Sequence, residues 1–271
     1  MTHVIRQGIT TELAGQNGSS VAPLTDEIVD ELADNMAPLA GAMDKLYWWR
    51  SMGDYLNEVK KADPPVKTES LIGHGTVRMC VMGNENRKPT DDELAKMKEI
   101  IGNSMKEGAR GLSLGLIYPP GSYAQTDELI EVCKVVAEYD GIMMVHMRND
   151  QDKIIESLEE MILVAKESKV RVHISHLKSL GPENWGKARE ALNKIEEINK
   201  QGIEMNFCQY PYEATCTGLK VVVPTWAYEG REGDFQERLN NKEIYQKILE
   251  GVNDRIEARG GEGSILIASV K

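Results

Sequence analysis

The sequence is short of what several protein classes require. Its longest apolar runs, such as residues 141–145, fall far below the ~20 residues of a membrane-spanning helix, and its opening residues show no basic stretch leading into an apolar one. No membrane partner is expected. Positive charge is also scarce: 32 Lys plus Arg against 43 Asp plus Glu leave a net charge of -11, with no basic stripe to offset it. Such a balance repels phosphate backbones, so no nucleic-acid partner is expected. The four cysteines, Cys80, Cys133, Cys208 and Cys216, form no C-x-x-C pair and are too sparse for a disulfide framework. Free thiols in a reducing, cytoplasmic compartment are the expectation. Phenylalanine occurs twice against 13 methionines, a bias that assigns no function because methionine fills cores as readily as binding surfaces. Neither a G-x-G-x-x-G run nor a P-loop follows the first apolar segment.

What is present is enough for a core. With 271 residues, 41% hydrophobic and 28% charged, the chain suits one large α/β domain rather than disorder. Short β-branched runs at 9–14, 69–72, 111–114, 141–146, 170–176, 203–208 and 264–269 read as strands. Between them, 91–107, 127–139, 151–168 and 185–200 carry helical periodicity. Thr90 with Glu93 predicts a capping box, Thr126 predicts a second cap, and Gly202 closes the fourth helix.

A strand-to-strand spacing of roughly 30 residues suits right-handed βαβ units, in either a doubly wound sheet or a (β/α)8 barrel. The barrel is preferred, because the chemically interesting residues fall at the carboxyl ends of several different strands. Residues 21–66, with Tyr47, Trp48 and Trp49, and 211–263, with Pro224 and Trp226, interrupt the alternation. The second is expected to be an insertion covering the strand-end face. Seven strands are one short of closure, and the chain starts after a strand and stops on one. The expected fold is therefore a TIM-like barrel domain over 1–271, incomplete at both ends.

His146 and His176 each end an apolar run, on consecutive strands, where two imidazoles could share a metal ion. An ordinary hydrogen-bonded histidine fits each position equally, and both readings stand at this point. His173, three residues before His176, is expected on the opposite face under strand alternation and is read as structural. His74, flanked by Gly73 and Gly75, reads as a hydrogen-bonded turn residue. Lys178 offers an ammonium to a carboxylate or is a surface lysine; Arg148 has the same two readings or pins its own loop. Tyr210 either donates to an anion or fills a wall. The loop 15–20 is polar and glycine-flanked, which suits close approach to a ligand or a plain turn. Residues 115–123 suggest a pocket rim.

Six ordered motifs carry a resemblance. Arg6-Gln7-Gly8-Ile9-Thr10-Thr11, Gly73-His74-Gly75-Thr76-Val77-Arg78, Gly115-Leu116-Ile117-Tyr118-Pro119-Pro120-Gly121, His146-Met147-Arg148-Asn149, His173-Ile174-Ser175-His176-Leu177-Lys178 and Gln209-Tyr210-Pro211-Tyr212 together resemble the N-acyl-D-amino-acid deacylases, or D-aminoacylases, of the metal-dependent amidohydrolase superfamily. The resemblance implies hydrolysis of the amide of a small N-acylated D-amino acid by zinc-activated water. It implies that His146 and His176 hold zinc and that Lys178 and Tyr210 grip the substrate carboxylate. Asn17 stands where the family has its zinc-binding cysteine, and an amide oxygen is a weaker zinc ligand than a thiolate. Cys216 stands where the family has a substrate-contacting serine. The family's His-x-His pair falls before Met1 and its proton-transferring aspartate beyond Lys271, so no catalytic residue is assigned and a truncated, poorly active form is expected. The rival readings are a dihydroorotase-like or hydantoinase-like enzyme, a non-catalytic barrel fragment, or an oligomer in which a second polypeptide completes the chain.

Overall fold

The computed structural model describes residues 2–40, 49–230 and 233–267. The chain opens with α1 (Thr2–Arg6), then β1 (Thr11–Ala14), α2 (Val29–Ala40), α3 (Met52–Lys61), β2 (Lys67–Ser70) and β3 (Ile72–Gly73). There follow α4 (His74–Met82), α5 (Asp91–Lys106), β4 (Gly111–Gly115), α6 (Thr126–Glu138), β5 (Ile142–His146), α7 (Ile154–Ser168), β6 (Arg171–Ile174), α8 (Lys187–Lys200) and β7 (Met205–Phe207). After β7 come two 3-10 turns, then α9 (Asp234–Asn240) and α10 (Lys242–Glu257).

Every strand pairing is parallel and follows chain order: β1 with β2, then β3 through β7 in sequence. β2 and β3 are one run interrupted at Leu71, whose amide reaches back to the Ala14 carbonyl while Ser70 accepts from Arg110. A doubly wound sheet must reverse its strand order, and no reversal occurs among the described residues. Helices α4 to α8 instead pack side by side in chain order, as one layer. The fold is thus α/β with a parallel sheet covered by a layer of crossover helices.

The core lies between sheet and helices. Leu112, Leu114 and Leu116, then Met143, Val145 and Met147, then Val172, Ile174 and Leu177 are buried in it. The alternate residues, including Ser113, Met144 and His146, must face the other way. That second face, at the carboxyl ends of the strands, is where the polar residues gather.

Several expectations are corrected. The Thr90–Glu93 capping box forms, but Thr126 is the first residue of its helix rather than the cap, and its hydroxyl bonds Glu160. No strand forms over 264–267, where a 3-10 turn ends at Ser264; residues 268 and 269 lie outside the described residues, as do Tyr47 and Trp48. Trp49 donates to the Val21 carbonyl at 2.6 Å and packs on Tyr55. The segment 211–263 touches strand-end loops at several points: Thr217 meets Tyr118, the Thr225 carbonyl accepts from Tyr123, and the Ala258 carbonyl accepts from Gln151.

Candidate functional site

β5 delivers His146 at its last position, paired in register with Gly115 of β4. The ring is buried, and both of its nitrogens lack a hydrogen-bond partner. Burial, reinforced by the neighbouring His176, pushes its pKa down to about 3, so the ring is neutral with a free lone pair. An orphaned buried imidazole is costly unless something else binds it.

His176 is brought to the same place by a break in the strand. Its backbone is left-handed, at φ 42°, and β6 ends two residues before it. Ile174 and Leu177 both reach the core, so two residues rather than one intervene, and His176 joins the face of His146. The two rings meet edge to face with centroids 4.4 Å apart. Burial, then the Lys178 charge, lowers the His176 pKa as well. This break overturns the expectation that His173 and His176 face opposite ways. His173 pairs with Met144, on the same face as both site histidines, and is half-buried there.

Lys178 folds back on this pair. Its ammonium lies 3.4 Å from His176 Nδ1 and 2.5 Å from the Asp150 carboxylate, with both side chains largely buried. Burial alone raises the Asp150 pKa, but the Lys178 charge and hydrogen bond outweigh it and hold the carboxyl below its usual range. Asp150 is a site residue that the sequence reading missed, although it lies only four positions after His146. Tyr118 is another: its ring meets His146 edge on at 5.4 Å. Tyr210 sits 6.4 Å from His176 between ring centroids, its buried hydroxyl without a partner and its pKa raised chiefly by burial.

The loop 15–20 lies flat against the strand ends. Gly18 N donates to Ser113 Oγ at 3.0 Å, and a Cβ on Gly115 would stand 1.9 Å from the Asn17 carbonyl. Glycine at 115 therefore serves backbone-on-backbone packing, and it brings Asn17 beside the partner of His146 in the ladder. Cys216 remains exposed, next to the Thr217 that bonds Tyr118. Arg148 pins a neighbouring loop, donating to the Ser122 and Ala124 carbonyls and pairing with Glu160.

His74 takes no part in this cluster. It starts α4 rather than a turn, and its Nε2 lies 2.8 Å from Glu128, which also pairs with the fully buried Arg78. Among the described residues, no three His, Cys, Asp or Glu side chains converge closely enough to hold a metal as they stand. The His146 ring, unbonded and edge-on to the His176 imidazole, fits a zinc ion through one of its nitrogens, since zinc takes imidazole nitrogen readily. Among the described residues no helix is long and apolar enough to cross a membrane.

No protein-family model matches the chain. It is 37% identical over 223 residues to a D-aminoacylase of Alcaligenes xylosoxydans xylosoxydans, covering 81% of this chain and 44% of that protein. It is 34% identical over 218 residues to an N-acyl-D-aspartate deacylase of the same organism, covering 80% and 43%. Among solved structures, a D-aminoacylase crystal structure superposes with a TM-score of 0.73 at 32% identity, covering 91% of this chain and 53% of that one. The N-acyl-D-glutamate deacylase of Bordetella bronchiseptica, solved with zinc and a phosphonate mimic of the tetrahedral intermediate, gives 0.71 at 30% identity, covering 77% and 43%. The chain thus spans less than half the length of these sequence relatives.

Proposed function

We propose, from the premise that this chain belongs to the D-aminoacylase family of metal-dependent amidohydrolases, that its strand-end face is the zinc and carboxylate half of a site hydrolysing the amide of N-acyl-D-amino acids. In this reading the strands are part of a (β/α)8 barrel and 211–263 is the insertion over its mouth. The observation that carries it is the buried His146 ring, unbonded at both nitrogens and edge-on to His176.

His146 and His176 hold the zinc, with Asn17 as a weak neutral donor beside them. Zinc bound there supplies Lewis acidity to the scissile carbonyl and to a water. Lys178, held in place by Asp150, receives the substrate's α-carboxylate, and the unpartnered Tyr210 hydroxyl donates to the same group. Tyr118 and Cys216 border the acyl side. The net charge of -11 favours no polyanionic substrate, in keeping with a small molecule. The cyclic-amide alternative calls for a lysine on β4 to be carboxylated between two metals, and Gly111–Gly115 contains none.

Zinc titration of the purified chain tests the reading. One chelator-reversible zinc per chain, lost in His146→Ala, is expected, with N-acetyl-D-amino acids hydrolysed in preference to their L forms when turnover is measured. Absence of zinc binding to the wild type sinks it.

A further inference from the structure

We propose that Arg259 is a second anion-binding group of this site and selects N-acyl-D-amino acids whose side chain carries a carboxylate. The inference rests on the function proposed above, in which Lys178 takes the α-carboxylate, and it narrows the substrate class. A guanidinium presents its N–H donors in a planar fork that matches a carboxylate two bonds at a time.

The residue that caps α10, Ala258, is fastened to both loops that build the Lys178–Asp150 pair. Its carbonyl accepts from Gln151 Nε2 at 3.2 Å, one position after Asp150. A Cβ on Gly181 would stand 3.1 Å from that same carbonyl, and Leu180 donates to the Asp150 carbonyl at 2.7 Å. Arg259 therefore follows a carbonyl held between the segments 150–151 and 180–181. It is half-buried, and its Nη1 donates to the Arg255 carbonyl at 2.7 Å. Among the described residues, its other N–H groups have no partner.

The protein does not balance that charge. Burial works against it, and among the described residues the one carboxylate whose field reaches it is Asp150, already paired with Lys178 at 2.5 Å. Arg255 adds a second half-buried guanidinium, which is committed to the Val221 and Val223 carbonyls at 3.1 and 3.0 Å. Three cationic side chains thus gather around a single carboxylate, in a chain whose net charge is -11. Partly desolvated charge left unpaired is costly, and an arriving anion relieves the cost. The α-carboxylate goes to Lys178. A second carboxylate on the same molecule answers Arg259, and a neutral side chain does not.

Calorimetric titration of the full chain, in zinc, with N-acetyl-D-glutamate and N-acetyl-D-glutamine reads this directly, because the two ligands match in shape and differ in side-chain charge. The wild type is expected to bind the glutamate at least ~10-fold more tightly. R259M, checked for unchanged circular dichroism, is expected to lose that preference while its affinity for the glutamine stays the same. R259K should restore part of it. K178M should weaken both ligands alike and leave their ratio intact. A wild type without the preference, an R259M that keeps it, or an R259M that weakens both ligands equally overturns the role of Arg259 and leaves the deacylase reading standing. A wild type that binds neither ligand overturns both.

Discussion

Lys178 and Asp150 form an ion pair at 2.5 Å, with the ammonium also 3.4 Å from His176 Nδ1. An uncompensated ammonium in that position repels a cation arriving at the imidazoles. Asp150→Asn is therefore expected to weaken zinc affinity by ~10- to 100-fold, the usual range for loss of a group that supports a metal ligand. Lys178→Met in the same background should recover most of the loss. Competition with a zinc indicator dye measures both, and additive effects would show that the pair is not coupled.

His146 illustrates a conflict between stability and binding. Two buried ring nitrogens without partners each carry a desolvation cost. His146→Leu, similar in size and apolar, should therefore raise the unfolding free energy in chelator by about 1 kcal/mol or more. Zinc is expected to stabilise the wild type against unfolding and to leave this variant unchanged. Urea unfolding with and without zinc tests this, and a destabilised variant in chelator would mean that the ring is satisfied in solution.

The portion of this site legible in the sequence was the portion carried by single strands. His146, His176 and Lys178 declare themselves because each follows an apolar run that must be a buried strand. Asp150 and Tyr118 do not, since their relevance comes from partners on other strands and no local period encodes those meetings. The facing of His173 departs from strict alternation for a related reason: alternation holds only while φ stays extended, and the left-handed turn at His176 inserts one residue out of phase. Likewise the run 69–72 reads as one strand, whereas its hydrogen bonds divide at Leu71 between β1 on one side and β4 on the other.

Glu128 anchors a buried cluster away from the site, accepting from Arg78 and meeting His74 at 2.8 Å. Burial works against its charge, but the hydrogen bonds and charges of His74 and Arg78 prevail and lower its pKa. Glu128→Ala leaves Arg78 charged and buried, and should cost ~3–5 kcal/mol. Replacing both, as Glu128→Leu with Arg78→Met, should recover a large part of it. Denaturant midpoints of the single and double variants check the prediction.

Glu69 gives the fold an acid dependence whose sign can be worked out. Its hydrogen bond with Arg110, opposed by burial and joined by Lys67, lowers its pKa from 4.5 to about 2. A carboxyl depressed in the folded state contributes stability above its unfolded value and surrenders it as pH falls from 4.5 through 2. Glu69→Gln should thus be less stable than wild type at neutral pH, with the two curves converging toward pH 2. Unfolding free energies across that range decide it, and parallel curves would show that Glu69 is not the group responsible.

Gly115 ties the face that carries His146 to the loop after β1. Any side chain there collides with the Asn17 carbonyl, 1.9 Å from the Cβ position, and the collision is with backbone, which cannot rotate aside. Gly115→Ala must push the loop 15–18 off the strand ends, breaking the Gly18-to-Ser113 hydrogen bond at 3.0 Å. If the Asn17 loop closes the metal centre, zinc affinity falls along with stability. Asn17→Ala leaves the backbone packing in place and removes only the amide donor, so it separates the two effects. Affinity lost in Gly115→Ala but retained in Asn17→Ala assigns the loop a shaping role; affinity lost in both makes the Asn17 amide a ligand.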